Sequence, residues 1–306
     1  MELVVAARGS KLSLKQVEIA MQHLSSRIQG LKYRVLVVKT RGDRIRDKPL
    51  YSIGGKGLFE KEVNMAVLDG RADIAVHSMK DLPSEISPEL EIAYIPPRDS
   101  PREALVPKNT ASIEPGTREL GALVDGETIG TSSVRRAALL HYYSKTARVK
   151  PIRGNLDTRL KKLDRGDYDY IVVAEAGLQR LGVERPYIPL NPKTFPPAPG
   201  QGFIAVVAPR DSLLARAFSK LVDPVTRATA TAERAFLATA RAGCHVPLGG
   251  VALAQGTGLL RFIGVVLSPD GSKAVWIDLK KDLERAEELG REAGEIAYSV
   301  YDKILS

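Results

Sequence analysis

Ala72 to Asp81 reads ADIAVHSMKD. Its first half, Ala72 to Val76, is a short apolar run, the pattern of a buried strand. Its second half turns polar and ends on an adjacent cation and carboxylate, Lys80 and Asp81. Upstream, Leu58, Val63 and Val67 mark one face of a helix that Gly70 stops. A glycine-rich loop, Ile53 to Gly57, leads into it. Further back, Glu2 to Ala7 and Tyr33 to Val38 read as strands, and Leu14, Val17, Met21, Leu24 and Ile28 recur at helical spacing between them. Strands that alternate with helices build a mainly parallel sheet with helices on both faces.

Downstream the pattern breaks at Pro96 to Pro101, a candidate hinge, and then repeats. Strands are expected near Ala104 to Val106, Glu127 to Gly130, Arg148 to Ile152 and Tyr168 to Ala174. Helices should begin near Ser133, Asn155 and Ala176. A second proline- and glycine-rich stretch, Pro196 to Gly202, marks another crossing, followed by a strand over Phe203 to Ala208 and a helix over Leu213 to Leu221. The last part differs. A helix from about Val225 to Ala240 precedes three alternating segments, Gly249 to Gln255, Leu259 to Leu267 and Ala274 to Leu279. Ser268 to Gly271 is a hairpin turn. A closing helix should fill Leu283 to Ile304.

The 306 residues suit two or three domains. No apolar run reaches the length of a membrane helix, and Met1 to Gly9 lacks the order of a secretory signal. A cytoplasmic protein is therefore the expectation. The single cysteine permits no intrachain disulfide, and with four scattered histidines it suggests no metal site. The net charge of +9 suits polyanions or small acidic ligands. Nucleic acid is the obvious candidate on charge, but aromatic residues are only 6% and there is no basic repeat, zinc finger or RNA-stacking motif. A small ligand with several carboxylates fits as well as nucleic acid does.

Ligands of open α/β sheets bind beyond the carboxyl ends of the strands. There the chain places Arg8-Gly9-Ser10, Lys39 to Asp43 and His77 to Asp81. The second set adds Thr131 to Arg136, Arg153-Gly154-Asn155 with Arg159 one turn on, and Arg180 after Glu175-Ala176-Gly177. An arginine beside a hydroxyl and free backbone N–H groups makes a carboxylate or phosphate site. Ser133 can cap its helix, which leaves Arg135 and Arg136 in the first turn, where the helix dipole disfavours cations. An anion from outside would resolve that conflict. Lys80-Asp81 reads as a solvated turn, a structural ion pair, or a catalytic carboxylate that the cations keep ionised. His77 reads equally as a core residue. Cys244 sits in a turn, Arg241 to Pro247, where nearby cations would favour thiolate; a structural cysteine is the competing reading.

Taken together, VHSMKD (Val76 to Asp81), GTSSVRR (Gly130 to Arg136), RGNLDTR (Arg153 to Arg159), TAERA (Thr231 to Ala235) and Gly243-Cys244 resemble the porphobilinogen deaminases, also called hydroxymethylbilane synthases. The resemblance covers nearly the whole chain. It implies an α/β fold of two periplasmic-binding-protein-like α/β domains plus a small α+β C-terminal domain. The bounds would be 1–100 with 203–221, then 101–202, then a cofactor-carrying domain over 222–306. It implies a dipyrromethane cofactor held by a thioether to Cys244. Four porphobilinogen units would be added with loss of ammonia through an azafulvene, and hydrolysis would release hydroxymethylbilane. Asp81 matches the family's catalytic aspartate. Arg8, Ser10, Gln16, Lys80, Thr131, Ser133, Arg135, Arg136, Arg153, Gly154, Arg159 and Arg180 match positions for cofactor or substrate carboxylates, and Lys56 a lysine of the active-site loop. Ser52, Lys11 and Ala242 depart from the family's usual residues. A monomer that binds neither nucleic acid nor membrane is expected. The alternative is a non-catalytic, two-lobed binder of small polyanions.

Overall fold

The computed structural model describes residues 2–40, 60–109, 120–241 and 246–305. The first part of the chain supplies β1 (Glu2–Arg8), α1 (Lys11–Ser25), β2 (Lys32–Val38), α2 (Lys61–Leu68), β3 (Ile74–Ser78) and β4 (Leu90–Tyr94). The second supplies β5 (Glu103–Pro107), α3 (Leu120–Val124), β6 (Thr128–Gly130), α4 (Val134–Tyr143), β7 (Arg148–Lys150), α5 (Leu156–Asp164), β8 (Tyr170–Ala174), α6 (Glu175–Arg180) and β9 (Ile188–Leu190). There follow β10 (Ile204–Pro209), α7 (Leu213–Ser219), α8 (Pro224–Ala240), β11 (Leu248–Gln255), β12 (Leu259–Leu267), β13 (Ala274–Asp282), α9 (Ala286–Ser299) and α10 (Tyr301–Leu305).

Two five-stranded sheets share one topology. Their orders are β2-β1-β3-β10-β4 and β7-β6-β8-β5-β9. In each, the second strand in order (β1, β6) is parallel to both neighbours, while the fourth (β10, β5) is antiparallel to both of its own. That reversed strand is the one the chain enters on crossing from the other sheet: β5 follows the first crossing and β10 the second. The sheets are therefore mainly parallel, as alternation with helices requires.

Period-two alternation sorts each central strand between two cores. From β1, Leu3, Val5 and Ala7 pack with Val17, Met21 and Leu24 of α1 and Phe218 of α7. Ala6, between them, faces Val63, Ala66 and Val67 of α2. In the second sheet Leu105, Ile129 and Val172 meet Leu139 and Leu140 of α4, while Ala104, Ile171 and Val173 meet Leu163 of α5 and Leu178 of α6. The third sheet, β11-β12-β13, is antiparallel and packs on α8 and α9 around Phe236 and Phe262, whose ring centroids lie 4.7 Å apart. Val265 and Leu267 of β12 join the core of the second sheet, so these two units share buried apolar surface.

The structure differs from the sequence reading in places. Leu14 is exposed; the buried face of α1 instead includes Ser13 and Gln16, which turn toward the cleft described below. β4 and β9 were not expected. β4 is five residues set close to proline on both sides, and β9 is three residues, too short for a period to register. The closing helix is divided into a 3₁₀ turn at Leu283–Arg285, α9 and α10. The glycine-rich loop at Ile53 to Gly57 lies outside the described residues.

Candidate active site

The two crossings lie side by side between the sheets. The Asp99 N–H donates to Gly202 O at 3.2 Å, and Gly202 has φ +89 with no room for a Cβ, which would meet Asp99 O at 2.5 Å. Arg180 ties both strands, with Nε donating to Asp99 Oδ2 and Nη2 to Gly202 O, each at 2.7 Å. Arg98 donates from Nε and Nη2 to Gln201 O, and from Nη1 to Glu233 Oε1 on α8 at 2.7 Å. Fully buried Glu233 also accepts from the N–H groups of Gly200 and Ala252. One carboxylate thus joins a crossing, the third sheet and α8.

Above the crossings lies a cleft of about 550 Å³. From the first sheet it takes the β1–α1 turn (Arg8, Ser10, Ser13, Gln16) and the end of β3 (His77, Ser78, Lys80, Asp81), with Glu60 at the start of α2. From the second it takes the β7–α5 turn (Arg153, Gly154, Thr158, Arg159, Lys162), Arg136, the end of β8 and Gly177. Among the described residues, six cations and two carboxylates therefore line it. Strand ends of both sheets converge here because the two crossings set the sheets facing each other.

Local sequence explains the placement. Ser10 caps α1, its Oγ accepting from Ser13 N at 3.2 Å, and Ser133 caps α4 by accepting from Arg136 N at 3.4 Å. These serines stand at equivalent points of the two sheets, after β1 and after β6. Gln16 of α1 donates to Ser78 Oγ at 2.7 Å and joins that helix to the end of β3. Gly154, at φ +109, turns the chain into α5, and its carbonyl accepts from Arg159 Nε at 2.8 Å. Arg153 Nη1 is buried with no hydrogen-bond partner among the described residues. Burial and the neighbouring Arg136 and Arg153 lower Arg159 to about 10, with Asp81 opposing. Lys80 falls to about 8 through burial, helped by Arg136 and Arg135 and opposed by Asp81 and Glu103. Its Nζ donates to Gln201 Oε1 at 3.1 Å and forms no ion pair with Asp81. Asp81 is exposed and has no hydrogen bond or ion pair among the described residues. His77 is buried against Asn64, Nε2 to Oδ1 2.9 Å, and burial with Arg8 lowers it to about 3, so it is neutral.

Four expected ligand residues do not line the cleft. The conflict at the N-terminus of α4 is resolved from inside, not by an outside anion. Arg135 Nη2 donates to Glu103 Oε1 at 2.5 Å, and Arg136 donates to both Glu103 oxygens. Arg135 is 5% exposed, and its Nη1 is spent on Pro196 O. Arg136 keeps an edge on the cleft. Thr131 is buried, accepting from the Ser133 N–H, and Ser133 is occupied as a cap. Arg180 is committed to the crossings. Lys56 and Cys244 lie outside the described residues. Sequence reasoning missed Glu60, Glu103, Gln201 and Lys162. Glu103 carried a usable signal, an acid opening an apolar strand in a chain that needs an anion for two adjacent arginines.

Two family models match in series. "Porphobilinogen deaminase, dipyromethane cofactor binding domain" covers residues 3–216, and "Porphobilinogen deaminase, C-terminal domain" covers 227–298. The chain belongs to the porphobilinogen deaminase family. Similar relatives are a probable porphobilinogen deaminase of Hyperthermus butylicus, 48% identical over 96% of this chain and 95% of that one, and another of Aeropyrum pernix, 47% identical with the same coverage. Among solved structures, the VFT2 domain of Bordetella pertussis BvgS (double mutant F375E/Q461E) is similar at TM-score 0.42 and 16% identity, covering 72% of this chain and 86% of that one. Within the family frame, the first model spans both sheets that line the cleft, and the second spans α8 and the antiparallel sheet.

Proposed function

We propose that the chain is a hydroxymethylbilane synthase. It joins four porphobilinogen units head to tail, with loss of ammonia at each, on a dipyrromethane attached to Cys244 by a thioether, and it releases hydroxymethylbilane. The observation that carries this reading is a cleft with, among the described residues, six cations around one exposed aspartate that makes no hydrogen bond or ion pair, in a chain of this family. Each pyrrole unit carries an acetate and a propionate, so the growing chain gathers carboxylates. The donor set fits such a group: Arg153 Nη1 is a buried donor awaiting an acceptor, and a bound carboxylate would satisfy it.

When bound, the dipyrromethane supplies a nucleophilic pyrrole carbon. Arg8, Arg136, Arg153 and Arg159 hold carboxylates of substrate or chain, with Lys80 and Lys162 beside them. Ser10 and Gln16 shape the first turn, and Gly154 brings backbone close to the ligand. Lys56 belongs to the same set by its match to the family. Asp81 holds the proton of the pyrrole N–H and stabilises the positive charge left on the ring as ammonia departs. A cytoplasmic monomer is the accompanying reading. No helix among the described residues is long and apolar enough to cross a membrane.

Intact-mass spectrometry tests the proposal. The purified protein should exceed its sequence mass of 33.2 kDa by two pyrrole units, and Cys244→Ser should lose that increment and all turnover. A Cys244→Ser protein with full activity overturns it. The competing reading, a non-catalytic polyanion binder, requires the bare sequence mass.

A further inference from the structure

Among the described residues two carboxylates line the cleft, and their surroundings are opposite. Asp81 is exposed. Glu60 is 8% exposed, and its Oε2 is buried with no hydrogen-bond partner among the described residues. It stands at the start of α2, yet its side chain makes no capping hydrogen bond to that helix. The polar residue one turn on, Asn64, is already committed to His77. Burial raises Glu60 and its neighbour Glu62 adds to that; Lys61 and the backbone N–H groups of Glu60 and Lys61 oppose it. A buried carboxylate oxygen without a donor destabilises the folded chain. Such a group persists where something else meets it.

The substrate supplies the complement. On the reading above, porphobilinogen carries two carboxylates and one aminomethyl group, a cation at neutral pH. The six cations of the cleft answer the carboxylates and repel the ammonium. They also favour its loss of a proton, and a neutral amine is a poor leaving group. A carboxylate beside the nitrogen keeps it as –NH3+. The C–N bond then breaks with both electrons going to nitrogen. Ammonia leaves, and the positive charge stays on the pyrrole ring, where Asp81 stands.

We infer that Glu60 is the subsite for the substrate's ammonium, and that its unpartnered Oε2 accepts a hydrogen bond from the aminomethyl nitrogen. The inference rests on the proposed function. It assigns the two carboxylates separate duties, Glu60 at the leaving nitrogen and Asp81 at the ring.

The test uses cofactor-loaded enzyme and two ligands. One is porphobilinogen. The other is the same pyrrole with a methyl in place of the aminomethyl group, measured as a competitive inhibitor. A charge-assisted hydrogen bond of ordinary strength predicts that Glu60→Gln lowers kcat/KM for porphobilinogen by about 10-fold or more. The inhibition constant of the methyl analogue should stay within about 2-fold, since that ligand has no ammonium to lose. Glu60→Asp should recover part of the loss. Thermal melting of the ligand-free proteins adds a readout that a structural role would move the other way. Removing an unpaired buried charge should leave the Tm of Glu60→Gln equal to or above that of the unaltered chain. An unchanged kcat/KM overturns the inference. So does an equal loss for both ligands, or a fall in Tm that tracks the loss of activity. Should the unaltered chain fail to make hydroxymethylbilane, the proposed function falls instead, and the two failures are told apart.

Discussion

Arg136 and Glu103 form a closed fork: Arg136 Nε donates to Oε1 at 3.0 Å and Nη2 to Oε2 at 2.6 Å. Arg135 adds a third bond to the same carboxylate at 2.5 Å. Glu103 opens the strand that the chain enters on crossing to the second sheet, while the arginines open α4. The fork therefore fastens a crossing to the helix whose N-terminus faces the cleft. Two cations on one fully buried anion leave a net positive charge there, and the edge of Arg136 presents it to the ligand.

Glu103→Gln should be strongly destabilising. It leaves two buried guanidinium groups without a counter-charge, and breaking a buried ion pair from one side costs about 3–5 kcal/mol. Denaturant unfolding at neutral pH measures it. The acid limb carries a second signature. Burial raises the Glu103 carboxyl, but Arg136 and Arg135 outweigh it and hold the group at about 2, below its ordinary 4.5. The unfolded state thus binds the proton first, so stability is present above pH 4.5 and is lost as pH falls toward 2. Glu103→Gln should flatten that limb.

Glu233→Ala should loosen the join between α8, the crossing and the third sheet. It removes the acceptor of Arg98, of the Gly200 N–H and of the Ala252 N–H together. The two N–H groups become buried donors without that partner, at about 1–3 kcal/mol apiece, while Arg98 keeps its bonds to Gln201 O and Ala252 O. Hydrogen exchange should report faster opening at Gly200 and Ala252 than in the central strand β1.

Much of this site was legible because its chemistry sits at strand ends. Arg8 and Lys80 lie at the ends of apolar runs that any reading makes strands, Arg153 and Arg159 follow the short strand β7, and the open α/β rule places their turns at one mouth. What could not be read was which cations face inward. Arg135 and Arg136 are adjacent in sequence and both are bound to Glu103, Arg135 also to Pro196 O and Arg136 to Val172 O, yet only Arg136 also lines the cleft. The need for an anion at α4 was visible, and Glu103, 32 residues back at the start of β5, was a candidate for it; that its carboxylate meets both arginines was not. Glu60 was hidden in the same way. Nothing in a helix's first acid says that its oxygen is buried and unpaired.

Lys80 should impart a pH dependence to ligand binding. Burial lowers its ammonium to about 8 from an ordinary 10.5. In the free enzyme the charge that attracts a carboxylate therefore fades as pH rises through about 8. KM for porphobilinogen should climb over that interval, and Lys80→Arg, whose guanidinium does not titrate there, should abolish the climb. Stability moves the other way. Between pH 8 and 10.5 the unfolded state binds more protons than the folded one, so the ligand-free protein gains stability with pH across that window.

Asp81→Asn should separate catalysis from folding. Asp81 is exposed and makes no hydrogen bond or ion pair among the described residues, so removing its charge takes away only its through-space attraction for Lys80 and Arg159. The Tm of the ligand-free variant should match that of the unaltered chain. Catalysis should not survive so well. The positive charge that develops on the ring as ammonia leaves arises among six cations, each of which disfavours it. One preorganised carboxylate is the counterweight, and losing a group of that kind typically slows the chemical step by about 100- to 1,000-fold. Asp81→Glu keeps the charge but moves it by a methylene and should keep partial activity. Single-turnover kinetics on folded, cofactor-loaded Asp81→Asn protein is the measurement. If the chemical step runs at its normal rate, the charge must be met elsewhere in the cleft, and Glu60, the other carboxylate lining it, becomes the residue to replace next.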